Sequence, residues 1–544
     1  MRDRSTKTQY PRTLWYPVYP SVCEAELPLG DGGAPDNLSS TMIMIKVSDS
    51  GNSMANQSDG KPTLRTTKHS RRAFLRLSAW TAAGISFSRD LSWALPKSSL
   101  SPQSNRKKVT VLGAGLAGLS AAWELRRAGH NVTILEAQLR PGGRVHTIRE
   151  GLSDGLYAEA GAGRIPRTHN VTREWVKYFG LELEPFYPTE ASQIALLNGR
   201  RFKIPPNGDA DISGAAFTPH ERKIGLLNLD DHYYGDLTKK IGGEIRRDWP
   251  SSIAKLADIT MADLLRQKGA SDEAIRYMLL GFEDDAALDF IRDSVNHHDL
   301  SKIKGGNDQL PRAFAAKLSD VIRYGCAVEQ IERRENSVQI AYRRAGMLDH
   351  VEAEAVVCTI PFGVLRKIPI TPEWSPEKRK VIDNLYYGPA ERNTYQVSTR
   401  YWESEGLNGF GSSDKGFEIW HSTHGKPGRR GVLQAFAYES YAAELDQLSE
   451  GDRWDRVIHD MDEVHPGLQP HLETIITKSW TNDPWQRGGY VVYHVGQQNW
   501  YPDVCRREGR ICFAGEHASG WPGWMQGAIT SGIKAAKEIT AELV

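Results

Sequence analysis

Val109 to Leu112 and Asn131 to Leu135 are short runs rich in β-branched residues, the pattern of buried strands. Between them, Leu116 to Arg127 repeats its apolar positions at helical spacing. The order is strand, helix, strand. The same kind of pattern returns further on. Gly305 to Pro311 leads into a helix that ends near Ser319, and strand-like runs follow over Ala327–Glu332, Ser337–Ala341 and Ala355–Cys358. A last strand, Arg510–Phe513, precedes a terminal helix from about Gly523 to Leu543. Two stretches interrupt this series. Residues 166–300 read as largely helical, most clearly over Ile259–Leu265 and Asp272–Leu280. Residues 370–500 mix short strands with aromatic-rich loops. The expectation is an α/β protein whose first domain is discontinuous, assembled from 105–165, 303–368 and 505–544. The helical insertion and a mixed α+β domain would then build a substrate site over it.

The loop after the first strand is Gly113-Ala114-Gly115-Leu116-Ala117-Gly118. A dinucleotide site needs a tight turn (Gly113), a backbone that lets pyrophosphate come close (Gly115), and a helix packed against its strand (Gly118). Amide groups at the start of that helix then face the phosphates. Glu136 closes the second strand, 18 residues after Gly118, where a carboxylate can accept ribose hydroxyls. Arg140-Pro141-Gly142-Gly143-Arg144 follows as a glycine-arginine loop. The first domain is therefore expected to be Rossmann-like.

With 544 residues the chain has room for two or three domains. A formal net charge of +1 argues against a nucleic-acid partner, which needs a basic footprint. No run of 18 apolar residues occurs, so no membrane span is expected. No His/Cys/Asp spacing suggests a metal site. The five cysteines form no CxxC pair; Cys358 and Cys512 sit in apolar runs, and a Cys505–Cys512 disulfide is left open. Residues 1–69 are rich in Ser, Thr, Pro, Gly and Asn and read as disordered. Residues 70–94 begin Ser70-Arg71-Arg72-Ala73-Phe74-Leu75-Arg76, continue into a mildly apolar stretch, and end on Ser92-Trp93-Ala94. That is the pattern of a twin-arginine export signal cleaved after Ala94, which implies a periplasmic or secreted protein. Met54 would set the arginines at a more usual distance from the start.

Taken together with Glu136-Ala137, Gly161-Ala162-Gly163-Arg164-Ile165-Pro166, Cys358-Thr359-Ile360-Pro361, Phe513-Ala514-Gly515-Glu516 and Gly523-Trp524, these motifs resemble the flavin-dependent amine oxidases. Within them the chain is most similar to the FAD-dependent L-amino acid oxidases, over about residues 105–544. The resemblance implies FAD as cofactor. It implies that Gly113, Gly115, Leu116, Ala117, Gly118, Glu136, Ala137, Gly143 and Arg144 hold its adenosine and pyrophosphate, with Val328 at the adenine. It further implies that Gly161, Ala162, Gly163, Arg164, Gly515, Glu516, Trp524, Met525 and Ala528 lie along the rest of the cofactor. The tethering cysteine of the monoamine oxidases is replaced by Gly489 in Arg487-Gly488-Gly489-Tyr490, so FAD is expected to be non-covalent.

By the same resemblance, Arg164 grips the substrate carboxylate, Tyr490 and Trp524 frame the amine, and Gly523 and Trp420 line the substrate space. A guanidinium fork suits a carboxylate; the alternative is that Arg164 pairs with an internal acid such as Glu159. Trp521 is a further aromatic candidate. Where many relatives carry a lysine that holds a water near the flavin, this chain has Arg392. His220, His232, His297, His298, His421 and His517 include no evident catalytic base, although His517 follows Glu516. The implied activity is oxidative deamination of an L-α-amino acid by hydride transfer to flavin, with dioxygen as acceptor, giving a 2-oxo acid, ammonia and hydrogen peroxide. Three other readings stay open: an oxidase of amines or polyamines, an amino acid 2-monooxygenase, and a non-catalytic secreted flavoprotein. A homodimer is compatible with the sequence.

Overall fold

Five parallel strands form the central sheet, in the order Ile511–Phe513, Ala355–Cys358, Lys108–Leu112, Asn131–Glu136, Ile322–Tyr324. The computed structural model describes residues 106–208 and 210–541, so the N-terminal extension and the twin-arginine segment lie outside the described residues. Val109, Val111 and Leu112 are buried, as strands covered on both faces require. The helix Leu116–Arg127 follows the first strand and packs on the terminal helix Met525–Ala541. Small residues let the two approach: a Cβ on Gly532 would meet Ala117 O at 2.1 Å, and Ser120 Oγ donates to Ile529 O at 3.1 Å.

A four-stranded sheet (Met347–Ala353, Val338–Arg344, Ala327–Arg333, Ile370–Thr371) lies beside this unit in the chain. A seven-stranded sheet carries the rest: Leu472–Ser479, Ala390–Val397, Gly431–Tyr438, Phe417–His421, Leu407–Ser413, Ser192–Leu197, Arg200–Ile204. Two of its inner strands, Ala390–Val397 and Gly431–Tyr438, are buried at every position. Helices between Pro219 and Ser294 form a further layer with its own core around Tyr233, Leu265, Ile275, Leu279 and Ile291.

The differences from expectation have local causes. Residues 166–300 are not helical throughout, because Ser192–Leu197 and Arg200–Ile204 form a hairpin that joins the seven-stranded sheet. Asn198 and Gly199 turn it with positive φ (49° and 71°), which is the Asn-Gly preference of tight hairpins. The helix expected from Ile259 starts at Met261, where the Thr260 side chain caps it. The terminal helix starts at Met525 rather than Gly523, since Gly523 has φ +81° and stands outside helical space. Cys326, Cys358, Cys505 and Cys512 are all free thiols, so no Cys505–Cys512 disulfide forms. Among the described residues no helix is long and apolar enough to cross a membrane.

Candidate active site

A cavity of about 360 Å³ runs from the first glycine turn to the inner face of the seven-stranded sheet. That size lies within the range of small-molecule sites. Gly113, Gly115, Leu116, Ala117, Glu136, Ala137, Gly143, Arg144 and Val328 line one end. Gly161 to Arg164, Gly515, Glu516, Gly523, Trp524, Met525 and Ala528 line its middle, and Arg392, Trp420 and Tyr490 its sheet end. Gly118 does not reach the wall. A Cβ there would sit 2.0 Å from Gly113 O, so its service is to the packing of helix against turn.

The first end fits a dinucleotide. Helix Leu116–Arg127 begins at Gly115 with no side-chain cap, and a Cβ on Gly115 would meet nothing within 4 Å. Its first amides therefore face open cavity, as an anion site requires. Gly113 does need to be glycine: φ is +105° and a Cβ would lie 2.5 Å from Thr359 Oγ1. Glu136 is buried, which pushes its carboxyl upward. The amides of Ala114 (2.6 Å) and Gln138 (2.8 Å) donate to it and oppose that rise. Arg144 forms a 2.8 Å ion pair with Glu516 and donates to Gly489 O. Burial alone would raise the Glu516 carboxyl, but Arg144, His517 and the Gly523 amide outweigh it and hold it low.

At the sheet end the side chains are set by cross-strand register. Arg392 pairs with Phe436, and Phe436 with Glu418. Directly opposed residues share a face, so guanidinium, ring and carboxylate stand in a row on the cavity side. Trp420 lies two positions beyond Glu418, on the same face. It packs on Gly163, where a Cβ would be 2.6 Å from the ring. The guanidinium carbons of Arg164 and Arg392 lie 5.0 and 3.8 Å from the centroid of that ring.

Arg164 does pair with an internal acid, but the acid is Glu418 and not Glu159. Glu418 Oε2 accepts from Arg164 Nη1 (3.1 Å) and from Trp420 Nε1 (2.9 Å). Burial would raise Glu418, and Arg164 is the largest influence holding it below the usual carboxylate range. Glu159 instead accepts from the Asn307 amide and the Thr147 hydroxyl, and burial pushes it up to about 7.

Sequence reasoning missed Glu418, and also one wall of the cavity. Asp285, Asp289 and Asp293, four residues apart, present one face at the helix Ala287–Ser294. Asp289 is paired with Arg292 (2.9 Å). Asp293 accepts from Trp524 Nε1 (2.7 Å) and lies 3.2 Å from His297 Nε2. Trp524 is thereby fixed edge-on to His297, ring centroids 5.5 Å apart. The four-residue spacing was a readable sign; the direction it faces was not. His517 lies off the cavity, packed on Phe362, with burial lowering it to about 4. Away from the cavity, His459, Asp460 and Glu463 come close enough to share an ion, but Asp460 is already engaged by Lys415, Arg456 and Tyr441.

A family model described as flavin containing amine oxidoreductase matches residues 116–540. The L-amino-acid oxidase of Demansia vestigiata is 30% identical over 460 residues, 81% of this chain and 88% of its own. Among solved structures, cyclohexylamine oxidase from Brevibacterium oxydans IH-35A matches with a TM-score of 0.69 at 21% identity, covering 80% of this chain and 99% of that one. A putrescine oxidase solved with putrescine gives the same figures. At that identity the two structures show a shared fold.

Proposed function

This chain belongs to the flavin-containing amine oxidoreductase family, and we propose that it binds FAD non-covalently and deaminates an L-α-amino acid oxidatively. The products are a 2-oxo acid, ammonia and hydrogen peroxide. The observation that carries the proposal is Arg164, a guanidinium on the cavity wall beside Trp420 and in the same cavity as Tyr490 and Trp524. Glu418 accepts from its Nη1 and the Tyr187 side chain also bonds to the guanidinium; the donors left in the fork suit a substrate carboxylate. Held by the glycine turn, Glu136 and Arg144, FAD would supply an acceptor for the α-hydrogen as hydride and a route for the electrons to dioxygen.

The residues of the chain orient the substrate and manage its proton. Tyr490 and Trp524 exclude water from the amine, and the Asp293 contact holds the Trp524 ring in place. Hydride loss requires an uncharged amine. His297, beside Asp293 on the wall, is the group positioned to take the ammonium proton. Gly489 supports a dissociable cofactor: it bears no nucleophile, and a Cβ there would be 2.5 Å from Ala390 Cβ. A cofactor loaded in the cytoplasm also agrees with export of a folded protein by the proposed twin-arginine signal.

One observation favours a second reading, an amine oxidase without carboxylate recognition. Glu418 already neutralises Arg164. Phenylalanine and phenethylamine separate the two, since they differ only by the carboxylate. Peroxide release and anaerobic bleaching of the flavin by phenylalanine are expected; response to phenethylamine alone would reverse the assignment.

A further inference from the structure

We propose that Arg392 is the seat of a second carboxylate, so that the substrate is an acidic L-amino acid with an anionic side chain. The inference rests on the L-amino acid reading above.

Arg392 is 5% exposed and lines the cavity. Its guanidinium is sandwiched between Trp420 and Phe436, 3.8 and 3.6 Å from the ring centroids. The rings attract the cation but carry no opposite charge. Its hydrogen bonding is poor: Nη2 reaches Gly161 O at 3.5 Å, and the buried Nη1 has no partner. The acid in its cross-strand row, Glu418, is held by Arg164 and Trp420 with Phe436 between. Its neighbour across the other strand is Lys478, also a cation, whose partner is Asp483. A buried guanidinium with a bare donor on a cavity wall calls for an anion.

The geometry suits a diacid. Both guanidinium carbons are measured from the same Trp420 centroid, so at most about 9 Å separates them. A four- or five-carbon dicarboxylate bridges that distance with one end on each arginine. On the acidic helix wall, Asp289 and Asp293 share Arg292 (2.9 and 3.9 Å), Asp293 also accepts from the Trp524 indole, and burial beside Glu439 pushes the Asp285 carboxyl well up, toward its neutral form.

The test compares kcat/KM of the holoenzyme for L-glutamate and L-aspartate with their neutral isosteres L-glutamine and L-asparagine, and with L-lysine and L-leucine. The acid is expected to exceed its amide by about 10- to 150-fold, the worth of one charge-assisted bond. Arg392→Gln should collapse that ratio, and Arg392→Lys should restore part of it. In a second measurement, glutarate and butyrate are titrated onto the wild-type holoenzyme and followed by flavin absorbance. Glutarate should bind at least about tenfold tighter. This arm needs neither turnover nor a folded variant. Equal rates for acid and amide, a preference for lysine, or equal binding of the two acids overturns the inference and leaves the amino acid reading intact where leucine is oxidised. An equal loss for glutamate and glutamine in Arg392→Gln assigns the residue to the flavin and also overturns it. Oxidation of phenethylamine and of no amino acid removes the underlying reading, and this inference with it.

Discussion

Replacing Arg164 by alanine tests the carboxylate clamp. In the structure this guanidinium gives one donor to Glu418 at 3.1 Å and also hydrogen-bonds the Tyr187 side chain; the ion pair is partly shielded, with side-chain exposures of 12% and 22%. The donors that remain are the ones offered to substrate. A hydrogen bond to a charged group contributes about 1.5–3 kcal/mol, which corresponds to about 10- to 150-fold in affinity. Arg164→Ala should therefore raise KM for phenylalanine by at least that range. The substitution also removes the largest influence that keeps Glu418 ionised, leaving a shielded acid to take up a proton. Breaking a fully buried pair costs about 3–5 kcal/mol; with a fifth of Glu418 open to water the loss here should be smaller. The double variant Arg164→Ala, Glu418→Gln removes that complication, because no acid is left without its partner. Peroxide release is measured with phenylalanine and phenethylamine on the single and double variants. The ratio of kcat/KM for the two substrates should fall in both variants, and a general folding defect would cancel from it. A ratio that stays at the wild-type value would refute the clamp.

Three further outcomes follow from the geometry. Glu136→Ala removes the acceptor for the Ala114 and Gln138 amides, and flavin titrated into apoprotein should bind about tenfold or more weakly. Gly163→Ala puts a methyl 2.6 Å from Trp420. Overpacking of this kind costs about 1–3 kcal/mol, and both a lower melting temperature and lower turnover are expected. His517 titrates at about 4 in the fold against 6.5 when exposed, so the unfolded chain binds more protons between those values. Stability should therefore fall as pH drops from 7.5 to 5, by about 2 kcal/mol from this residue. In His517→Phe the melting temperature should fall less over that interval; an unchanged pH dependence would count against the buried neutral imidazole.

What could be read from the sequence was local. The turn at Gly113, the helix from Leu116 to Arg127 and the acid at the end of the second strand are contiguous, and each has a steric or electrostatic reason to be where it is. The Asn198-Gly199 hairpin was equally local and was overlooked because its strands sit within a helical stretch. Glu418 was out of reach for a different reason. It meets Arg164 across 254 residues of chain, and only the register of three antiparallel strands places it in line with Arg392. The family resemblance implied that Arg392 stands where many relatives have lysine. It could not show that the side chain would be sandwiched by two rings with a donor left bare.

That unmatched charge bears on the choice between amine and amino acid. An amine arrives as a cation. At the sheet end it would meet Arg164 paired with Glu418, Asp289 paired with Arg292, Asp293 bonded to the Trp524 indole, and Arg392, which has no ion pair among the described residues. The unpaired guanidinium of Arg392, in a shielded cavity, repels a nearby ammonium more than it would in water. A substrate that brings its own carboxylate reverses the interaction. Glu418 then has a second use beside its neutralising one: by holding Arg164 and the Trp420 indole through the same oxygen, it keeps the clamp turned to the cavity before substrate arrives. The pairing that favours an amine oxidase when viewed alone is, with Arg392 in the same row, consistent with a site prepared for an acid.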